Sequence, residues 1–178
     1  AQSIEPTGKT AVGGDEGDLL LGTRLADTLI GGDGDDVLTG NGGADRLVGS
    51  AGSDTYRILR EWRSRPTEAL IAETWREQDV NRIELTGEVD ADALRLEFDG
   101  HDLLLRYTEQ GDAIRFAGFD PRAPGMQAPV AEISLPTWGV TLSFEELLAR
   151  GVRYGGETND IYSINMGDGA VTIVDSAT

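Results

Sequence analysis

An apolar residue recurs every nine positions between residues 13 and 57, and the residue two positions before it is always Asp. Each nine-residue block has Gly first, Asp sixth and Leu or Tyr eighth. A Gly/Asp-rich flexible linker would not keep this phase, so the pattern predicts an internal repeat. The blocks are GGDEGDLLL (13–21), GTRLADTLI (22–30), GGDGDDVLT (31–39), GNGGADRLV (40–48) and GSAGSDTYR (49–57).

Each block predicts a Gly-rich turn followed by a short strand, so two blocks form one coil of 18 residues with two parallel strands. The eighth residue of every block faces inward and builds a narrow apolar ladder. The predicted fold class is therefore all-β: a parallel β-roll over residues 13–57, followed by a β-rich capping flank with one short helix.

Residues 58–150 show the partial alternation of ordinary β-strands. Strands are predicted at Ala69–Glu73, Arg82–Leu85, Leu94–Phe98, Leu103–Tyr107, Ala113–Phe116, Glu132–Leu135 and Val140–Leu142. Asp99-Gly100 favours a hairpin with a type I′ turn. A helix is predicted over Ser143–Arg150, with Ser143 as its cap, Glu146 at the capping-box position and Gly151 at its end.

Four units are therefore expected along the chain. Residues 1–12 form a lead-in, 13–57 the roll and 58–150 the flank. Residues 151–178 contain a degenerate copy of the repeat, GGETNDIYS (155–163), and the opening of a further module. We expect the natural protein to continue past Thr178, and Ala1–Thr10 lacks the charged and apolar regions of an N-terminal export signal.

The charge of the chain narrows the choice of partners. Thirty-two acidic residues face 15 basic ones, which gives a formal net charge of −17. This balance excludes nucleic acid and anionic membrane surfaces as partners and favours bound cations. No stretch approaches the roughly 18 apolar residues that span a bilayer. There is no Cys to form a disulfide, so a bound metal ion is the obvious alternative means of stabilising the fold.

The repeat itself supplies suitable ligands for a hard divalent cation. Glycines allow the turns to present backbone carbonyls, and the Asp of each block adds a carboxylate. Oxygen ligands at this density suit calcium above all. Without the cation the stacked aspartates repel one another, and the thin apolar ladder does not offset the chain entropy.

The consensus G-G-x-G-x-D-x-U-x resembles the RTX repeats of haemolysin-type toxins, secreted metalloproteases, lipases, adhesins and alginate epimerases. In that family each calcium lies between repeats n and n+2. The ligands are the carbonyls of positions 2 and 4 and the Asp of repeat n, with the carbonyls of positions 1 and 3 and the Asp of repeat n+2.

The resemblance implies three candidate calcium sites in this sequence. Site one takes Gly32, Gly34 and Asp36 with Gly49, Ala51 and Asp54. Site two takes Gly14, Glu16 and Asp18 with Gly31, Asp33 and Asp36, and departs from the consensus at Glu16. Site three takes Thr23, Leu25 and Asp27 with Gly40, Gly42 and Asp45; Thr23 and Leu25 break the glycine pattern, so a strained turn or an empty site is the alternative there.

The flank resembles the haemolysin-type calcium-binding related region that follows RTX repeats. The stretches that carry the resemblance are IELTG (83–87), LRLEFDGHDLLLRY (94–107), DAIRFAGF (112–119) and SFEELL (143–148). The resemblance implies that this region caps the open end of the roll, where unpaired strand edges would otherwise be exposed.

These resemblances imply a calcium-binding module of a bacterial protein exported by type I secretion, such as a toxin, adhesin or exoenzyme. The module is expected to fold on meeting extracellular calcium, with calcium ions and neighbouring modules of the same polypeptide as partners. The alternative is a calcium-scaffolded recognition domain for a polysaccharide or a cell-surface receptor, with Trp62, Trp75 and Trp138 available to stack on sugars.

An enzyme is not expected. The sequence has no G-x-S-x-G, H-E-x-x-H or Walker motif, and its single histidine, His101, is interpreted as a solvated turn residue. Self-cleavage at Asp120-Pro121, known among RTX proteins, is a minor alternative because the sequence that accompanies such bonds is missing.

Overall fold

A computed structural model of the chain describes residues 7–60, 67–72, 78–120 and 128–154, and the backbone of 161–162. Within these ranges the strands form one nine-stranded and one six-stranded sheet. The first eight strands are β1 (Thr10–Val12), β2 (Leu19–Leu21), β3 (Thr28–Asp33), β4 (Val37–Thr39), β5 (Arg46–Ala51), β6 (Thr55–Leu59), β7 (Glu68–Ile71) and β8 (Arg82–Thr86). The remaining strands are β9 (Arg95–Phe98), β10 (Leu103–Arg106), β11 (Ala113–Phe116), β12 (Glu132–Leu135), β13 (Val140–Ser143), β14 (Val152–Tyr154) and β15 (Ile161–Tyr162).

The nine-residue period builds a roll of parallel strands. Strand β1 pairs with β3 and β3 with β5 in one sheet, while β2 pairs with β4 and β4 with β6 in the other. Thr10 lies opposite Thr28 and Leu19 opposite Val37, an offset of 18 residues in both sheets. The predicted β-roll is thus confirmed, since consecutive blocks alternate between the two sheets.

A single apolar side chain from each block fills the interior of the roll. Leu29, Leu38, Leu47 and Tyr56 are fully buried, and Leu20 of the first block packs against them while partly exposed. This confirms the ladder expected from the eighth position. The ladder is narrow, so the roll buries little apolar surface per coil and gains correspondingly little stability from it.

The flank extends both sheets beyond the roll. Strand β7 pairs with β5 and then with β11, while β8 pairs with β6 and then with β12, all in parallel. The antiparallel strands β9, β10 and β11 widen the larger sheet, and β12 and β13 form a hairpin at the end of the smaller one. The open edges of β5 and β6 are therefore covered, although the boundaries proposed for the four units stay predictions.

The sequence located most flank strands to within one or two residues, but the turn after β9 differs from expectation. Phe98 pairs with Leu103, so the predicted hairpin exists with a four-residue loop over 99–102. A type I′ turn was wrong, because it needs positive φ at both central residues of a two-residue loop, and here Gly100 has φ 97° while Asp99 does not. The Asp99 carboxylate instead accepts hydrogen bonds from the N–H groups of His101 and Asp102.

The predicted helix is present as α1 (Phe144–Ala149). Ser143 and Glu146 form the expected capping box, and Gly151 follows the helix with φ 101°. The Phe144 ring packs edge-to-face on Phe116 and on Phe119, with centroids 5.9 Å apart in each pair. These rings belong to a hydrophobic core that continues from the apolar ladder of the roll into the flank.

The degenerate copy at 155–163 lies outside the described residues, apart from the backbone of β15. Strand β14 pairs in parallel with β9, and β15 pairs antiparallel with β14. Among the described residues, no helix has both the length and the apolar character needed to cross a membrane.

Candidate metal centre

The turns of the roll form two columns, one at each edge of the sheets. We call the loops that lead into β2, β4 and β6 the first loop column; they are residues 13–18, 31–36 and 49–54. The loops that lead into β3 and β5, residues 22–27 and 40–45, form the second loop column. Sites one and two fall in the first column and site three in the second.

The aspartates of successive coils are linked by a repeated hydrogen bond. The N–H of Asp18 donates to Oδ1 of Asp36 at 2.7 Å, and the N–H of Asp36 donates to Oδ1 of Asp54 at 2.9 Å. In the second column the N–H of Asp27 donates to Oδ1 of Asp45 at 3.0 Å. The 18-residue coil therefore places each carboxylate directly over the preceding turn, and this explains why the sixth position is always Asp.

The other carboxylate oxygen lies against the first glycine of its own block. A Cβ on Gly31 would stand 2.0 Å from Oδ2 of Asp36, and one on Gly49 would stand 1.9 Å from Oδ2 of Asp54. A larger residue at these positions would displace the carboxylate. The invariant first glycine thus makes room for the ligand oxygen, in addition to serving the turn.

Two of these oxygens lack a partner. Within the part of the chain that the structure describes, Oδ2 of Asp36 and Oδ2 of Asp54 accept no hydrogen bond. The two residues are 1% and 0% exposed, so water does not satisfy these oxygens from the surface. A buried carboxylate oxygen without a partner is costly, and a bound cation would supply the missing interaction. The residues of the first column therefore fit a divalent cation.

The pKa values of Asp36 and Asp54 in the first column also favour a bound cation. Burial raises the pKa of Asp36 above its ordinary value, and the charges of Asp18 and Asp35 add to the increase. Burial raises the pKa of Asp54 to about 6, with the charges of Asp36, Asp35 and Asp79 adding to the effect and the hydrogen bond from Asp36 N–H opposing it. Without a cation, the ionised forms of both groups are disfavoured in the fold.

The structure places the two loops of site one next to each other. The N–H of Gly34 donates to the carbonyl of Ala51 at 2.8 Å, which joins the two loops. Positive φ values occur at the second and fourth positions of both loops, at Gly32, Gly34, Ser50 and Gly52. Both halves of the site therefore share one turn conformation, as expected for a repeated binding loop.

Site two has one half in a different conformation. The N–H of Asp33 donates to the carbonyl of Gly14 at 2.8 Å, so the loops are stacked, and Asp36 with its unpaired oxygen belongs to this site as well. Glu16 is exposed and does not adopt positive φ; among the described residues, only Asn41 and Ser50 do so without being Gly. The departure from the consensus at Glu16 is thus reflected in the turn itself.

The two loops of site three are joined by the ladder bond between Asp27 and Asp45, but the Asp27 carboxylate already has hydrogen-bond partners. Oδ1 of Asp27 accepts from the N–H of Lys9 at 2.6 Å, while Oδ2 accepts from the N–H of Thr23. The Thr23 hydroxyl lies 3.1 Å from both oxygens. Burial would raise the pKa of Asp27, but the hydrogen bonds from Thr23 and Lys9 outweigh it and hold the pKa below its ordinary value.

The sequence reasoning missed one member of the aspartate ladder. The N–H of Asp54 donates to Oδ1 of Asn81 at 2.8 Å, repeating the contact that joins the repeat aspartates. In the same register Tyr56 pairs with Ile83. Asn81 follows Asp54 by 27 residues, three whole periods, with apolar Ile83 two positions later, so extending the nine-residue phase past residue 57 would have located it.

The remaining candidate residues have simpler surroundings. His101 is exposed in the β9–β10 loop, as expected. Trp138 is 60% exposed in the β12–β13 turn, whereas Trp62 and Trp75 lie outside the described residues. In the described ranges no three His, Cys, Asp or Glu side chains cluster closely enough to hold a metal ion, and the RTX arrangement draws only two of its ligands from side chains.

Comparison with known proteins identifies the repeat. Residues 21–56 match the family model of the RTX calcium-binding nonapeptide repeat, in four copies. This segment is a calcium-binding RTX array, and calcium is its cofactor. No curated protein matches the chain significantly.

Two solved structures resemble the chain more distantly. The AlgE6R3 subunit of the mannuronan C5-epimerase from Azotobacter vinelandii is 21% identical, with a TM-score of 0.27, over 72% of this chain and 92% of that subunit. The extracellular lipase LipA from Serratia marcescens is 18% identical, with a TM-score of 0.30, over 62% of this chain. The match spans only 19% of the lipase.

Proposed function

We propose that this calcium-binding module folds on meeting extracellular calcium and thereby assists the export and folding of a protein that leaves a bacterial cell by type I secretion. The observation that carries the proposal is the pair of unpartnered, buried oxygens on Asp36 and Asp54. The fold leaves these oxygens without a donor at the place where the repeat implies a cation.

Calcium would be held at sites one and two. At site one the ligands are the carbonyls of Gly32, Gly34, Gly49 and Ala51 with the carboxylates of Asp36 and Asp54. At site two they are the carbonyls of Gly14, Glu16, Gly31 and Asp33 with the carboxylates of Asp18 and Asp36. When bound, the cation supplies positive charge to carboxylates that burial otherwise disfavours in their ionised form. Asp36 belongs to both sites, so filling one site should favour filling the other.

The expected energies are large enough to control folding. A site whose Kd lies tenfold below the surrounding calcium concentration adds about 1.4 kcal/mol to the stability of the folded state. Two such sites add about 3 kcal/mol, against a total of about 5–15 kcal/mol for a typical domain. Extracellular calcium modules have Kd values of roughly 0.1–1 mM, so cytosolic calcium would leave the sites empty and the chain extended for passage through a secretion channel.

The proposal is tested by titrating the full chain with calcium while recording far-ultraviolet circular dichroism. The β signal should rise with calcium and fall again with chelator, whereas magnesium at the same concentration should produce little change. Asp54→Asn should raise the calcium concentration at the midpoint, and Asp92→Asn, an exposed flank position, serves as the matched control. A spectrum that ignores both calcium and chelator would count against the proposal.

A second candidate function is recognition of a polysaccharide or cell-surface receptor, with calcium as scaffold only. It is favoured by Trp138, whose side chain is 60% exposed. Binding to a glycan array in calcium, lost in Trp138→Ala, would support it. That the chain is not an enzyme stays a prediction.

A further inference from the structure

The two loop columns differ in how their carboxylates are satisfied. In the first column, Oδ2 of Asp36 and Oδ2 of Asp54 have no hydrogen-bond partner among the described residues. In the second column, both oxygens of Asp27 accept hydrogen bonds from the protein. The difference arises although Asp27 and Asp36 hold the same position in consecutive blocks and are buried to the same extent, at 2% and 1% exposed.

Thr23 is responsible for most of this difference. It stands at the second position of its block, where the consensus has Gly. Its N–H donates to Oδ2 of Asp27, and its hydroxyl lies 3.1 Å from each carboxylate oxygen. The Thr23 hydroxyl also accepts from the N–H of Leu25 at 3.1 Å, so the turn is closed by its own side chain. The backbone N–H of Lys9, 2.6 Å from Oδ1 of Asp27, makes the same ladder contact that Asp18 makes to Asp36, so the difference lies at Oδ2 alone.

Another feature of the second column opposes a cation there. Neither Thr23 nor Leu25 adopts positive φ, whereas the equivalent residues of site one, Gly32 and Gly34, both do. The first half of site three therefore lacks the binding-loop conformation. The first half of site two lacks it as well, and there the N–H of Gly14 donates to Oδ2 of Asp18 at 2.7 Å. Site two differs from site three because it includes the unpartnered Oδ2 of Asp36, whereas among the described residues neither aspartate of site three has a buried oxygen without a partner. The residues of site three do not fit the calcium that the repeat implies.

We propose that calcium is bound along the first loop column only, and that in the second column the N–H and hydroxyl of Thr23 take the place of calcium at Asp27. This inference rests on the proposed function, because it concerns how calcium is distributed within the roll. Charge-assisted hydrogen bonds to a carboxylate are strong enough to hold it ionised without a metal. One edge of the roll is thus closed by protein alone, while the other edge responds to calcium.

The test counts the calcium ions bound to the full chain by native mass spectrometry at millimolar calcium. Asp36→Asn should lose at least one ion, whereas Asp27→Asn should keep the wild-type number, with Asp92→Asn as the control. Loss of an ion from Asp27→Asn overturns the inference. If the wild-type chain bound no calcium in the roll, Asp36→Asn would lose nothing, and it is the proposed function that would fail.

A gain-of-site variant keeps the inference testable if Asp27→Asn does not fold. Thr23→Gly combined with Leu25→Gly restores the consensus G-G-x-G-x-D in the second block. Removing the Thr23 donor and allowing positive φ should add one calcium ion per chain. No gain in a folded variant would overturn the role assigned to Thr23.

Discussion

The roll and the flank share the same two sheets but satisfy their buried polar groups by different means. In the flank, the carboxylate of Asp112 accepts from Thr67 N–H at 2.7 Å and from the Thr108 hydroxyl at 2.9 Å. In the roll, Asp36 and Asp54 each keep one oxygen without a partner. Among the described residues of the flank no buried side-chain oxygen or nitrogen lacks a partner, while the roll leaves room for an ion. Continuous sheets can thus combine a self-sufficient part with a calcium-dependent one.

The flank also has the larger apolar interior of the two regions. The last four blocks of the roll each contribute one fully buried apolar side chain, such as Leu38 or Leu47. The flank adds a cluster of aromatic rings around Phe144. Since hydrophobic stabilisation scales with the apolar area removed from water, the flank has the larger share of it. The comparison leads to five predictions, from the largest expected effect to the smallest.

Calcium removal should separate the two regions most clearly. Two lost sites of about 1.4 kcal/mol each correspond to roughly a hundredfold loss of protection against amide hydrogen exchange. We expect this loss at the ladder amides of Asp36 and Asp54, which lie in the first column. The amides of Leu105 and Ile114 in the flank should change by less than about tenfold. Equal losses in both regions would show that the flank depends on calcium as much as the roll does.

Gly49→Ala should destabilise the roll by crowding the Asp54 carboxylate. The new Cβ would stand 1.9 Å from Oδ2 of Asp54 and 2.5 Å from the Tyr56 hydroxyl, so the carboxylate has to move. Overpacking of this kind costs about 1–3 kcal/mol, and we expect a weaker calcium affinity as well. Urea unfolding in calcium measures the first effect and calorimetric titration the second.

The matched control is Gly139→Ala in the β12–β13 turn. That position has open space around it and φ 63°, so only the backbone cost of about 1 kcal/mol applies. Its calcium affinity should equal that of the wild type. If both variants lost calcium affinity equally, crowding of Asp54 would not be the cause.

The ion pairs of Arg115 should stabilise the flank to the same extent with and without calcium. Its guanidinium lies 2.6 Å from Glu68 and 3.2 Å from Asp102, and it also pairs with Asp99, whose pKa it holds well below the ordinary value. Arg115→Met removes these bonds and should cost about 1–3 kcal/mol, equally in calcium and in chelator. Urea unfolding under both conditions measures this.

Arg95→Met is the comparison for the Arg115 variant. Arg95 pairs with the exposed Glu109 at 3.4 Å, and exposed pairs of this kind contribute about 0–1 kcal/mol. A cost for Arg115→Met that appeared only in calcium would contradict the separation between the regions.

The pH dependence of the roll should reverse between its metal-free and calcium-bound forms. The folded pKa of Asp54, about 6, lies above the ordinary value of 3.8, so the metal-free fold holds a proton that the unfolded chain has released. The contribution of Asp54 to metal-free stability is therefore greatest below about pH 4 and is lost as the pH rises through 6. Calcium requires the ionised form, so its affinity should fall by up to about tenfold per unit below pH 6.

Calcium titrations at pH 5, 6 and 7.5 measure this reversal. Asp54→Asn should flatten the dependence, since the titrating carboxyl is gone. An affinity that is constant between pH 5 and 7.5 in the wild-type chain would contradict the assignment of Asp54 as a ligand.

The sequence was sufficient to predict the coil of the roll because a single period determines it. Once Asp, Gly and Leu recur in phase, the register of 18 residues and the inward ladder follow from strand geometry alone. The hydrogen bonds of Thr23 were not predictable in this way. They depend on the turn conformation of one loop, which brings the N–H and hydroxyl of Thr23 to the Asp27 carboxylate.

The flank was predictable at the level of strands but not of their partners. Arg115 pairs with Glu68, which is 47 residues away in the sequence, and no local pattern predicts that contact. Asn81 is a different case, because it keeps the phase of the repeat and is found once the nine-residue period is extended across two blocks that do not carry the pattern. Local periodicity thus predicts elements, whereas contacts between distant segments follow only from the assembled sheets.

The smallest effect is expected at the helix of the flank. Ser143 accepts from the N–H of Glu146 at 3.1 Å, and the Glu146 side chain accepts from the N–H of Ser143 at 2.7 Å, which lowers the pKa of Glu146. Ser143→Ala removes one half of this box and should cost about 1 kcal/mol, while Ser143→Asp keeps an acceptor and should cost less. The urea midpoint should shift by the same amount in calcium and in chelator, because the hydrogen bonds of the cap join Ser143 and Glu146 within the flank. A shift confined to calcium would mean that this helix is formed only after the roll has folded, and the flank could then no longer be regarded as the self-sufficient partner.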